Sequence, residues 1–337
     1  MTRFEDQNTL VFGKEGGVYV VGANTPAART LAERVVPPSA SVRTPAGKPV
    51  FDVFKVSPDA ARDYLGSLRL KAVDADIGRV VAIKAYEDVD LLAGTQSRLG
   101  LVWDVKKRAF PAWPDLKLFG HLVDGGGAPW SRNPDLSPYP VPDWEDGDVV
   151  LSWFDLDPPS STPLGGYWLE IGFYEPYIMA RPQVYEGDRE LGATLRLGPI
   201  KVRGATQPVV RTPLGVYGED EISLGAMESQ GNEIKLIWRA LKRPTRDYTV
   251  FIHALDAEGR MVAQHDGRPQ AGSYPTDRWE VGEVIQDLHV LDGKLASAVK
   301  LEVGLYARPS LERLRATAPD GAPNGDALMI SLPRPEG

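Results

Sequence analysis

Residues 247–259 read DYTVFIHALDAEG and residues 115–127 read DLKLFGHLVDGGG, with aspartate, phenylalanine, histidine, aspartate and glycine at matching places. Three more pairs surround this one in the same order. LGLVWDVKK (99–107) matches IKLIWRALK (234–242), DWEDGDVV (143–150) matches DRWEVGEVI (277–285), and YWLEIGFYEP (167–176) matches VKLEVGLYARP (299–309). The offset stays between 132 and 135 residues. Chance similarity does not hold one offset through four blocks, so the chain carries a tandem duplication. GATLRLGPIKV (192–202) and GDALMISLPRP (325–335) close the two copies in the same way.

Within each copy the runs are short, alternating or apolar, and spaced by roughly a dozen residues or more, which is the spacing of sandwich strands and not of βαβ units. The 34 glycines and 29 prolines supply the turns such a chain needs. The expected fold is mainly β: two tandem β-sandwich domains of the jelly-roll or immunoglobulin-like kind, preceded by a small α/β segment. The boundaries expected are 1–74, 75–203 and 204–337. In the first segment TLVF (9–12) and GVYVVG (17–22) read as strands. Thr25 and Pro26 open a helix, and SVRTPAGKPVFDVFKV folds back as a hairpin. Ser57 before Pro58 caps a second short helix. The glycines here do not form GxGxxG, so no nucleotide site is assigned.

The 337 residues carry a net charge of −8 with a pI near 5.2, which argues against a nucleic-acid partner, because phosphate recognition needs a concentrated basic face. With no cysteine there is no disulfide, thiol nucleophile or cysteine-based metal site. MTRFEDQNTL at the start is polar, and no apolar run approaches the length of a membrane helix. The expectation is a soluble chain, or a soluble piece of something larger.

FIHALDAEGRMVAQHDGRP (251–269) concentrates the residue types that could do chemistry. It also reads as a hairpin, with Asp256 capping turn amides, Gly259 at positive φ, and His265 and Asp266 on the return strand. His253 recurs as His121, the pattern of a packing and hydrogen-bonding residue. A metal reading would converge His253, His265, Asp287 and His289. Against it, Asp287 and His289 in QDLHVL read as one solvated sheet face. Calcium held by turn carboxylates is a further structural alternative; no cofactor is expected. Glu170 and Glu302 recur in LE(I/V)G(F/L)Y within strands. No GxSxG, HExxH or P-loop supports catalysis. Trp103 with Trp238, Trp144 with Trp279, and Tyr174 with Tyr306 recur as core wedges. Trp113, Trp130, Trp153 and Trp168 belong to the first copy alone. Trp130, in the loop APWSRNPDLSPYPVPDW, is the candidate sugar-stacking platform. The candidate binding set is Trp130, Trp113, His265, Asp266 and Trp279.

Residues 205–335 resemble the C-terminal extracytoplasmic β domain of polytopic membrane glycosyltransferase-like proteins of the dolichyl-phosphate-mannose-protein mannosyltransferase type in filamentous, Chloroflexus-like bacteria. Trp238, Asp247-Tyr248, Phe251-Ile252-His253, Asp256, Gln264 to Pro269, Pro275 to Trp279, Gly282, Asp287 and Gly304-Leu305-Tyr306 carry the resemblance. Residues 75–203 look like a diverged copy that keeps the tryptophans, Phe119-Gly120-His121 and Gly172-Phe173-Tyr174. The resemblance implies a non-catalytic accessory module outside the cytoplasmic membrane, since the family's transferase chemistry is assigned to its membrane domain. The functions expected are glycan binding, or positioning of a membrane glycosyltransferase-like or other cell-envelope partner. A purely structural scaffold is the alternative, and a carbohydrate-active enzyme with a site between the two sandwiches is the third.

Overall fold

The computed structural model describes residues 8–106, 116–132, 135, 143–204, 212–293 and 295–332. The architecture is mainly β, with two α-helices, Pro26–Glu33 and Pro58–Ser67, among the described residues.

The duplication read from sequence is visible in the strand order. In the first copy one sheet runs Thr9–Phe12, Val149–Leu156, Ser97–Val105, Val81–Glu87, Leu70–Ile77, Val184–Glu186 and Arg189–Gly192. The corresponding sheet of the second copy runs Val284–Val290, Glu233–Ala240, Ile222–Gln230, Gly215–Tyr217 and Ala316–Thr317. Without Thr9–Phe12 at one edge and Arg189–Gly192 at the other, the first order maps onto the second strand by strand. The partner sheets agree as well. Pro129–Arg132, Lys117–Val123, Gly165–Tyr174 and Leu195–Arg203 match Met261–Gly267, Tyr248–Leu255, Lys300–Ala307 and Leu328–Ser331.

In each copy alternate side chains of both sheets enter one shared apolar cluster, as the period of two requires. Trp103, Trp144, Trp238 and Trp279 are fully buried there, which accords with their recurrence. Buried indole N–H groups need acceptors. Trp103 Nε1 donates to Ser152 Oγ at 3.1 Å, and Trp238 Nε1 donates to Asp287 Oδ2, the matching position, also at 3.1 Å.

The N-terminal segment folds as expected in part. Ala40–Arg43 and Pro49–Val56 form the hairpin, Gly17–Gly22 adds to it, and the Ser57 hydroxyl accepts the Ala60 amide at the start of the second helix. Thr9–Phe12, expected within this segment, instead pairs antiparallel with Val149–Leu156 of the first copy. Leu70–Ile77 spans the expected boundary at residue 74 and belongs to the same large sheet. The reason is burial. Leu151 and Trp153 point away from the apolar cluster shared by the two sheets of the first copy, and Leu10, Phe12, Leu31 and Phe54 cover them in a third cluster.

The two copies meet across a polar seam. Lys201 Nζ lies 2.6 Å from Glu283 Oε1, and Arg203 bridges Glu280 (3.0 Å) and Asp90 (2.8 Å). Gln270 accepts the Gly166 amide at 3.1 Å and donates to the carbonyls of Leu164 (2.8 Å) and Gln286 (3.0 Å). Leu164 itself enters the core of the second copy.

Candidate functional site

Two constellations gather the residues singled out from sequence. The first lies inside the second copy, where Tyr248–Leu255 and Met261–Gly267 pair so that Ile252 is opposite His265 and His253 is opposite Gln264. Opposed residues share a face, so His265 points inward with Ile252 while His253 points outward. That split removes His253 from any ligand set with His265. Among the described residues no group of three or more histidine, aspartate or glutamate side chains could hold a metal ion.

Asp287 and His289 correct the sequence expectation. They share a face, but it is the buried one, and Leu288 and Val290 are the exposed neighbours. The physical reason is a hydrogen-bond network that satisfies the buried carboxylate from three sides. Asp287 accepts the His289 Nε2 proton (2.7 Å), the Trp238 indole (3.1 Å) and the Gln270 amide (2.7 Å). His265 packs edge-on against His289 at 5.0 Å between ring centroids. Burial, and then the neighbouring His289, push the His265 pKa below the ordinary histidine value. Asp287 thus fixes the amide of Gln270, one of the residues whose side chains join the two copies. Gln270 and Ala271 both hold positive φ (51° and 53°), a costly backbone state for residues with a Cβ that such anchoring sustains.

The second constellation is duplicated and lies on the outward face of the sheet carrying the FxH motif. In the second copy His253 Nδ1 sits 2.7 Å from Glu302 Oε2, its cross-strand neighbour. In the first copy Glu170 is opposite His121 in the same way, but Arg196 takes the carboxylate at 2.6 Å. Met329 occupies the place of Arg196 beside Glu302, which leaves that glutamate to histidine. Phe119 and Phe251 each stack near their histidine and lie under an arginine, Arg181 at 5.1 Å and Arg313 at 4.3 Å. The glycine of LE(I/V)G(F/L)Y is explained here. A Cβ on Gly172 would come within 2.6 Å of the Phe119 ring, and one on Gly304 within 2.3 Å of Phe251. Tyr306 donates to Asp266 Oδ2 at 3.1 Å, so Asp266 belongs to this outward face and not with its chain neighbour His265.

The hairpin turn is as read from sequence. Asp256 accepts the amides of Glu258 and Arg260 at 3.1 and 2.8 Å, and Gly259 has φ of 80°.

The candidate tryptophans are placed differently from the expected sugar platform. Trp279 is fully buried, its indole donating to the Tyr274 carbonyl at 3.0 Å, so it offers no ring face to a ligand. Trp130 packs against the first core and edge-on to Tyr167, with its indole donating to Asp124 at 3.1 Å. Trp113 lies outside the described residues.

Among the described residues, the large aromatic that stands in solvent is Tyr177. With Ile178 and Met179 it forms a tip just beyond strand Gly165–Tyr174, exposed to 81%, 70% and 61%. Buried Glu175 sets the turn by accepting the amides of Tyr177 (2.9 Å) and Ile178 (2.8 Å). Glu175 N also donates to Ala180 O at 2.9 Å, as Ala307 N does to Glu312 O at 2.9 Å in the second copy. Met179 and Leu311 hold positive φ (56° and 58°) at matching places, so the turn itself is duplicated. Proline and serine replace Tyr177 and Ile178 in the second copy, at positions 309 and 310. Sequence reading passed over Tyr177 because it weighed tryptophans; three large apolar residues bracketed by Pro176 and Pro182 were the available signal.

The carboxylates nearest the seam between the copies, Glu280 and Glu283, are held by cations. Arg203 first, then Lys201, bring Glu280 down to a pKa of about 2. Glu283 also accepts the Glu280 amide and the Tyr274 hydroxyl at 2.9 and 2.7 Å. A scan against protein-family models and a search of curated proteins return no match.

Proposed function

We propose that the chain is a non-catalytic, extracytoplasmic accessory module, built as two tandem sandwiches of the jelly-roll or immunoglobulin-like kind, that binds or positions glycan beside a membrane glycosyltransferase-like partner. The observation carrying the glycan reading is Tyr177. It is an aromatic ring in solvent, on a turn fixed by a buried carboxylate, at the end of a sheet face bearing His121, Glu170 and Arg196. A sugar needs an apolar ring face to lie against and polar groups beside it to bond its hydroxyls. The resemblance of residues 205–335 to the accessory domain supports the compartment and the partner. Nucleic acid is not a proposed ligand, in keeping with the net charge of −8.

A glycan array on the purified chain tests the reading. Saturable binding of at least one glycan class, lost in Tyr177→Ala, is expected. Silence across diverse glycans would leave the scaffold reading, which draws its own support from the ion-paired seam that holds the copies together.

A further inference from the structure

The second copy enters the first with one short segment, Pro269–Gly272 and the Ser273 that follows it. The first copy is cut away to receive it. A Cβ on Gly125 or Gly165 would run into Gln270, and one on Gly166 into the Ser273 carbonyl. None of these three glycines holds positive φ, and the matching positions of the second copy carry Ala257, Ser297 and Ala298. The glycines therefore answer to the joint and not to the sandwich fold. Within this socket the Gln270 side chain accepts the Gly166 amide and donates to the Leu164 carbonyl. Gln270 and Ala271 stand at φ of 51° and 53°, a backbone state that residues with a Cβ keep only while they are held. The hold comes from Asp287, whose Oδ1 accepts the Gln270 amide at 2.7 Å, while Oδ2 accepts the His289 proton at 2.7 Å. His289 in turn lies edge-on to His265 at 5.0 Å between centroids. One buried carboxylate thus serves the joint with one oxygen and the histidine pair with the other.

We propose that residues 269–273 form an acid-released latch between the two copies, with His265 as the group whose protonation releases it. The charged groups around His265 are His289 and Asp287 from strand Val284–Val290, Asp292 from the short strand beside Gln264, and Asp266 on its own strand. Ile252, opposite it on the central strand, is apolar. Burial first, and His289 second, oppose the imidazolium and outweigh the three carboxylates, so the pKa stays below the ordinary histidine value. The closed latch therefore binds fewer protons than the open one between that lowered value and about 6.5. Closure is complete above the ordinary value and is lost as pH falls through it, by at most about tenfold per pH unit. Hydrating the imidazolium separates His265 from His289. Asp287, which His289 holds in place, then loses its grip on the Gln270 amide, and the strained turn relaxes out of its socket. The Arg203–Glu280 ion pair keeps its charge in this window, Glu280 being held down to about 2. The copies stay tethered there and gain freedom to swing.

Amide hydrogen exchange followed by NMR on the full chain, corrected for the intrinsic pH dependence of exchange, tests this independently of any glycan result. It reads both sides of the latch: the Gln270 amide, held by Asp287, and the Gly166 amide, held by Gln270. From pH 7 to pH 5 the two lose protection together, by up to about tenfold per unit, and both exchange faster than the Trp238 amide of the core because the opening is local. In His265→Gln the profile is flat and both amides stay protected at pH 5. In Gly166→Ala the added Cβ keeps the segment out of its socket, so the Gln270 amide is unprotected already at pH 7 and does not respond to pH. A flat wild-type profile overturns the proposal, as does wild-type pH dependence in either variant. So does Gln270 exchange that quickens while Gly166 stays fixed, or exchange of both no faster than that of Trp238.

Discussion

Replacing Asp287 by alanine removes the acceptor of three buried donors at once: the Trp238 indole, the Gln270 amide and the His289 imidazole. A hydrogen bond to a charged acceptor contributes about 1.5–3 kcal/mol, and a buried donor left without a partner bears its full desolvation cost. The three bonds share one carboxylate and are not additive, so the expected loss is about 4 kcal/mol. That is a large fraction of the stability of an ordinary domain, about 5–15 kcal/mol. The first copy supplies an internal control, because Ser152 already serves Trp103 at the matching position. Asp287→Ser should therefore recover about 1 kcal/mol relative to Asp287→Ala, by serving the indole while leaving Gln270 and His289 unserved. A chain with two cores need not unfold in one step, so the assay is urea-dependent hydrogen exchange read separately on segments 233–240 and 99–105. The second-copy segment loses protection, and the first-copy segment keeps most of its own. A loss below about 1 kcal/mol, or serine no better than alanine, would refute the claim that Asp287 organises this core.

Gly172→Ala and Gly304→Ala each drive a Cβ into a phenylalanine ring and toward a backbone carbonyl, and denaturation should show a loss of about 2–3 kcal/mol for each. Gly231→Ala meets no atom within 4 Å and should lose only about 1–2 kcal/mol, from its positive φ. Because burial lowers the His265 pKa, the unfolded chain binds more protons than the folded chain between the lowered and the ordinary histidine pKa. Stability should therefore fall as pH drops from about 7 to about 5, and His265→Gln should flatten that slope in urea titrations. Glu280, depressed to about 2 by Arg203 and Lys201, contributes above the ordinary glutamate pKa and loses that contribution as pH falls toward its folded value. Small-angle scattering should show the two copies held together at neutral pH and loosened at acidic pH.

The strands of both copies and their repetition were legible because burial imposes a period of two, and two diverged copies each reported it; their order in the sheets was not. Trp103 with Trp238 and Phe119 with Phe251 kept their places under the same constraint. What sequence did not yield are the outcomes decided by partners distant in the chain. Asp287 and His289 alternate with Leu288 and Val290, and alternation alone does not say which face is inward; the Trp238 indole and the Gln270 amide decide that. Thr9–Phe12 reads as a strand, but its pairing with Val149–Leu156 depends on the apolar outward positions Leu151 and Trp153. Trp130, expected in a loop, stands instead in strand Pro129–Arg132, where Asp124 and Tyr167 hold it on the core. Tyr177 stays in solvent because Glu175 uses its carboxylate on the turn amides, a contact only the folded turn displays.

The glycan-binding claim is tested most directly by isothermal titration of one array-positive glycan into the wild type and into Tyr177→Ala. At 81% exposure the tyrosine has little packing to lose, so the variant should unfold within about 0.5 kcal/mol of the wild type. The account predicts affinity at least about tenfold weaker in the variant, about 1.4 kcal/mol of binding free energy. Equal affinity in the two proteins would contradict it and place any glycan site elsewhere on the chain.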